Sequence, residues 1–193
     1  MAVEAPGPWR NAAADTLAAL PRDVRALLRP VEPDMLHLTV RFLGEVDEGS
    51  VDDGSVDDGG VPALVAALGR HVPPLRVRLA LGAPDTFGPA ARTGSAMLRV
   101  EGDLVALDAL VARVDAAVRE ALGRPRTEER YQPHLTLGRL RRSATAAERR
   151  SVAQAVRALP PPPPAEFTAT RAVLMRSHLG PGGARYRVEA AFA

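Results

Sequence analysis

The stretch Met35-Leu36-His37-Leu38-Thr39-Val40-Arg41-Phe42-Leu43-Gly44 is answered much later by Gln132-Pro133-His134-Leu135-Thr136-Leu137-Gly138-Arg139-Leu140. Both carry His-Leu-Thr followed by an aliphatic residue, both follow a turn signal (Pro33-Asp34 and Gln132-Pro133), and both run on to a glycine. Read as strands, their side chains alternate between two faces. His37 and Thr39 then share one face, with Leu38 and Val40 on the other; His134 and Thr136 oppose Leu135 and Leu137 in the same way. Each strand offers a core an aliphatic pair and offers its other side an imidazole and a hydroxyl. One such strand is most often a surface pair. Two copies half a chain apart imply two related lobes that present one His each to a shared cleft.

The composition agrees with a globular chain able to bury a sizeable core. Its 193 residues are 46% hydrophobic and 25% charged. Aromatics are only 4%, so Ala, Val and Leu must fill most of the interior. There is no Cys, which excludes disulfides, thiolate metal sites and Cys nucleophiles. No apolar run approaches a membrane span, and Met1–Asn11 lacks a basic-then-apolar signal pattern. A cytoplasmic protein is expected. All 25 basic residues are Arg, so every cation is a permanently charged fork suited to phosphate, and no Lys is available as a Schiff base or general base. Seven acids with no base lie between Glu45 and Asp58, leaving the remainder strongly positive. Over 124–150, eight Arg face only Glu128, Glu129 and Glu148; such a patch suits an anionic ligand, although most of these residues read as solvated helix and loop charges.

Helices are expected where apolar residues recur at three-and-four spacing. Asp103–Leu122 shows it through Leu104, Leu107, Val111, Val114 and Val118, with Asp103 as cap and Gly123 as stop. A second helix spans about 145–159, opened by the capping box Thr145…Glu148 and stopped by Pro160. Two more cover about 61–70 and 11–20, while Pro21–Pro30 is ambiguous. Strands are expected at Leu36–Leu43, Leu75–Leu81, Ala96–Val100, Pro133–Leu140, Phe167–Met175 and Tyr186–Phe192. The interleaving implies an α/β or α+β class, and the absence of a domain linker implies a single compact domain over 1–193. The acidic tandem SVDDG segment at 49–60 reads as a disordered loop.

Two facing imidazoles are suited to metal-free acid–base chemistry near neutral pH. One can accept a proton while the other donates one, and Thr hydroxyls with nearby Arg can hold an anionic centre between them. Water attack on a phosphodiester with protonation of a leaving alkoxide fits. The His spacings show no zinc pattern, so neither metal nor cofactor is expected. His71, at a helix end, and His178, in a turn before Gly180-Pro181-Gly182-Gly183, carry no expected role.

The paired H-x-T-x motifs resemble those of the two-histidine (2H) phosphoesterase superfamily, and most closely its bacterial RNA 2′,3′-cyclic phosphodiesterase, or 2′-5′ RNA ligase, members. The similar stretches are MLHLTVRFLGEV (35–46), TFGPAARTGSAMLRV (86–100), QPHLTLGRL (132–140) and MRSHLGPGGARYRVEAAF (175–192). The resemblance implies an α+β fold of two pseudo-symmetric lobes, antiparallel sheets with outer helices around a central cleft. It also implies metal-independent opening of a ribose 2′,3′-cyclic phosphate to a 2′-phosphate. It implies His37 as proton donor to the leaving oxygen and His134 as proton acceptor from water, with Thr39 and Thr136 on the phosphate and Arg139 at a position able to contact it. Phe42 is a candidate contact to a base, with core packing as an equal alternative. The implied partners are RNA ends or small nucleotides carrying a cyclic phosphate, and the expected state is a monomer. A phosphoesterase of small nucleotides and a non-catalytic RNA or nucleotide binder stay open as alternatives. One departure stands out. Family members open on a short apolar strand, whereas Met1–Trp9 reads MAVEAPGPW. That strand is therefore expected to be missing or replaced, leaving an unpaired edge that favours self-association.

Overall fold

The computed structural model describes residues 1–46, 60–125, 131–180 and 183–193; the acidic segment expected at 49–60 lies outside the described residues except for Gly60. The strands are β1 (Ala2–Glu4), β2 (Leu28–Pro30), β3 (His37–Thr39), β4 (Val77–Thr86), β5 (Ser95–Gly102), β6 (His134–Leu140), β7 (Phe167–Ala169), β8 (Ala172–Gly180) and β9 (Gly183–Phe192). The helices are α1 (Gly7–Ala18), α2 (Arg22–Ala26), α3 (Gly60–His71), α4 (Leu104–Leu122) and α5 (Ala146–Arg157). Among the described residues all strands join one antiparallel sheet in the order β7-β4-β5-β6-β3-β1-β8-β9, with β2 also on β6. This order is symmetric about the β3–β6 seam, with four strands on either side.

That seam places the two motifs at the centre. Its register pairs Leu38 with Leu135, the same position of each motif, so the pseudo-twofold runs through this pair. Both leucines are fully buried. An antiparallel register centred there sets His37 level with Thr136 and Thr39 level with His134. On the leucine face lie Val3 opposite Leu38 and Leu98 opposite Leu135. The core continues into Leu64 and Leu68 of α3, Leu107, Val114 and Val118 of α4, and Val152 and Val156 of α5. The α4 face is the one its spacing predicts. Asp103 caps it by accepting from the Ala106 N–H at 3.0 Å, and Gly123 ends it in the left-handed region at φ +62°. The α5 capping box is complete in both directions.

Several expectations are corrected. The N-terminal strand is present: β1 pairs with β3 through Ala2–Thr39, Val3–Leu38 and Glu4–His37, and with β8 through Ala2–Val173. The inner edge is therefore covered, which removes the open edge expected to favour self-association. Pro6 does not disrupt β1 because it is already the N-cap of α1. The expected Leu36–Leu43 strand is only His37–Thr39, and the ambiguous Pro21–Pro30 resolves into α2 and β2. The expected Phe167–Met175 strand is two strands that part at Thr170-Arg171: β7 pairs with β4 in one half and β8 with β1 in the other. His178 lies in β8 opposite Arg185, not in a turn. Trp9 locks α1 down, its Nε1–H donating to the Ala165 carbonyl at 2.8 Å and its ring meeting Phe167 edge-on.

Candidate active site

The face of β3 and β6 opposite the leucines carries His37, Thr39, His134 and Thr136, all partly exposed. Each imidazole is oriented from within its own strand entrance. His37 Nδ1 lies 2.8 Å from the Met35 carbonyl, and His134 Nδ1 lies 2.7 Å from the Gln132 carbonyl, two residues upstream in both cases. A carbonyl only accepts, so Nδ1 must carry a hydrogen. In the neutral ring this leaves the Nε2 lone pair as the working acid–base atom.

Each ring also meets the edge or face of one aromatic. Phe87, just past β4, lies 4.4 Å from His134 between centroids at 82°, and Tyr186 of β9 lies 4.7 Å from His37 at 74°. The Tyr186 N–H in turn donates to Met35 Sδ at 3.4 Å. Burial by this packing is the main reason both imidazoles are pushed below their ordinary value. The Met35 carbonyl opposes this at His37, where the Met1 amine, His134 and Arg139 push further down. At His134 the Gln132 carbonyl opposes it and Arg139 adds to it. Both rings are thus held below their ordinary value beside the Arg139 guanidinium, and an anion placed between them would favour protonation of one of them.

Arg139 reaches this face only because β6 is bulged. The β5–β6 register steps from Ala96–Gly138 to Met97–Thr136, so β6 holds one extra residue. Strict alternation would place Arg139 with Leu135 and Leu137. The bulge instead aligns it with Thr136 and His134, opposite Ser95, Met97 and Arg99 of β5. Gly138 sits where β2 crosses most closely: a Cβ there would lie 2.9 Å from the Arg29 carbonyl oxygen. Phe42 is 79% exposed, which removes core packing as its role. Its backbone is held by neighbours: Arg124 donates to the Leu43 and Glu45 carbonyls, Arg41 pairs with buried Asp115 at 3.0 Å, and the Tyr131 hydroxyl donates to the Thr39 carbonyl at 2.9 Å. Arg126 and Arg130 of the expected basic stretch lie outside the described residues.

Sequence reasoning missed the frame behind Phe87. The Asp85 carboxylate accepts from Arg157 Nε at 2.8 Å, from Arg99 Nε at 2.9 Å as well as Arg99 Nη2, and from the Thr86 N–H at 2.7 Å. Burial pushes its pKa up, but Arg157, then Arg99 and Thr86, more than reverse this and hold it below the usual carboxylate range. Arg157 Nη2 also donates to the Thr86 carbonyl at 3.3 Å. Phe87 and Tyr186 lie inside the stretches 86–100 and 175–192 already singled out, yet no periodicity could pair them with the imidazoles. Among the described residues no group of three or more His, Asp or Glu converges as a metal site would, and no helix is long and apolar enough to cross a membrane.

The geometry has counterparts in known proteins. A sequence model of the 2′-5′ RNA ligase superfamily matches residues 8–181. The fold is similar to the crystal structure of TT0787 of Thermus thermophilus, with 26% identity and TM-score 0.73, covering 99% of this chain and 94% of that one. It is also similar to E. coli LigT complexed with 3′-AMP (24%, TM-score 0.70, 99% and 94%) and to a crystal structure of a phosphoesterase (23%, TM-score 0.69, 99% and 94%). No curated protein sequence matches the chain.

Proposed function

We propose that this chain, which belongs to the 2′-5′ RNA ligase superfamily, is a phosphoesterase that hydrolyses 2′,3′-cyclic phosphodiester ends of RNA to 2′-phosphates. The observation that carries this reading is the matched pair of imidazoles on adjacent strands, each with Nδ1–H tied to its own upstream carbonyl and Nε2 left for proton transfer. His134 Nε2 takes a proton from water as the water oxygen bonds to phosphorus. The bond from phosphorus to the 3′ oxygen breaks, and protonated His37 gives its proton to that oxygen. Thr39 and Thr136 donate hydroxyl hydrogen bonds to the phosphate oxygens, and Arg139, further along the same face of β6, adds positive field toward the forming phosphorane without occupying its coordination sphere. Neither threonine hydroxyl has a protein partner among the described residues, so both are available to a ligand. Phe42, exposed on a braced backbone, is a contact for a base.

The phosphate's negative charge supplies what the free site lacks. Both rings are held low by burial, and an anion beside them favours the protonated acid. The test uses a short RNA with a 2′,3′-cyclic phosphate end, in chelator, with wild type and His134→Ala side by side. The expected product is a 2′-phosphate, formed about 10²–10⁴-fold more slowly by the variant. A 3′-phosphate product would reverse the leaving oxygen, and equal rates would remove His134 from the chemistry. E. coli LigT was solved with 3′-AMP, which keeps a mononucleotide substrate as the second reading.

A further inference from the structure

Most arginines near this face have a carboxylate: Arg99 and Arg157 share Asp85, and Arg171 meets Glu4. Two do not. Arg29 of β2 and Arg139 of β6 are directly opposite one another in register, and both are exposed. Residues opposite in an antiparallel pair share a face, so Arg29 points to the same side as Arg139, His134 and Thr136. Their neighbours Leu28 and Leu140 pair on the buried side. Among the described residues neither guanidinium has an ion-pair partner. Like charges directly opposite across two strands repel, and the arrangement is relieved by an anion between them.

The spacing identifies that anion. On β5, which has no bulge on this side, Met97 stands opposite Thr136 and Ser95 opposite Arg139. Two residues of strand are about 7 Å, the reach of one extended nucleotide. We infer that Arg29 and Arg139 form a second phosphate subsite, which takes the phosphate on the 5′ oxygen of the nucleotide whose cyclic end lies between the imidazoles. Paired guanidinium forks suit a phosphate's oxygens. This rests on the proposed phosphodiesterase reading and sharpens it: the substrate is an oligonucleotide end, not a lone nucleoside cyclic phosphate.

Three substrates separate the sources of that phosphate: a nucleoside 2′,3′-cyclic phosphate, the same compound bearing a 5′-phosphate, and a dinucleotide with a 2′,3′-cyclic end. Wild type is expected to favour the second and third over the first by about ten-fold or more in kcat/KM, the worth of one charge-assisted contact. Preference for the dinucleotide alone assigns the subsite to an internucleotide diester. Arg29→Gln is expected to collapse the preference to about two- to three-fold, mainly through KM, and Arg29→Lys to restore part of it. Equal losses on all substrates, or no change in the preference, overturn the subsite. If wild type hydrolyses none of them, the phosphodiesterase reading fails, and the subsite is judged by binding of a trinucleotide 3′-phosphate against salt. There Arg29→Gln is expected to reduce the slope by about one counterion, and an unchanged slope overturns it.

Discussion

Asp85→Asn tests how the frame around His134 is built. The native carboxylate receives hydrogen bonds from Arg157 Nε, from Arg99 through Nε and Nη2, and from the Thr86 N–H. The amide keeps one acceptor oxygen but turns its NH₂ toward a guanidinium, so one charge-assisted interaction is lost and another is weakened. Such bonds are worth about 1.5–3 kcal/mol each when protected. Here Arg99 and Arg157 side chains are 60% and 44% exposed, and water takes up part of the loss. The net cost works out at about 2 kcal/mol, which lowers Tm by about 4–8 °C in a chain of this size. Urea unfolding should show a lower midpoint with an unchanged slope.

The same change loosens the turn that carries Phe87 against the His134 ring. Because burial is the main cause of that ring's depressed pKa, admitting water lets it rise toward the ordinary imidazole value. The limb of the kcat/KM profile governed by His134 should therefore move to higher pH, and Phe87→Ala should move it the same way. An unshifted urea midpoint together with an unmoved limb would refute the view that Asp85 holds this wall.

Three further outcomes follow from the geometry. With both imidazoles lowered and the active form carrying one proton between them, the kcat/KM profile is bell-shaped. It should peak on the acid side of about 6.5, whereas a peak above about 7 contradicts it; the kcat profile, with phosphate bound, should lie to higher pH. Leu135→Ala opens a cavity at the seam and is expected to cost about 2–5 kcal/mol in urea unfolding, against well under that if the seam can close. Gly102→Ala is expected to destabilise by about 1–3 kcal/mol, because Gly102 sits at φ +111° with its would-be Cβ only 2.5 Å from the Arg78 carbonyl oxygen; wild-type stability would show that β4 can shift aside.

The parts of this fold legible in the sequence are those encoded locally. The α4 face and the Thr145–Glu148 box depend on neighbours three or four residues away, and the two His-Leu-Thr repeats depend on a period of two. What escaped depends on crossings. β1 is three residues long with strands on both sides, so Ala2 and Val3 are both buried and show no alternation; the prolines at 6 and 8 belong to the following helix. The run Phe167–Met175 has uniform strand character, and only pairing reveals that it serves two halves of the sheet. Arg139 was placed by resemblance alone. Its face depends on a bulge at Leu137-Gly138 visible only against β5, and Arg29 becomes a partner only through β2.

The carbonyl two residues before each imidazole makes the orienting group part of the same short peptide as the group it orients. A designer need not import a distant buried acid to fix the tautomer; the instruction travels with the strand. A reactive centre of this kind is assembled by laying two such peptides head to tail about one leucine pair. Proton-transfer geometry then becomes a matter of strand register, which a designer can adjust only in steps of two residues, since a single-residue slip turns each imidazole to the leucine face.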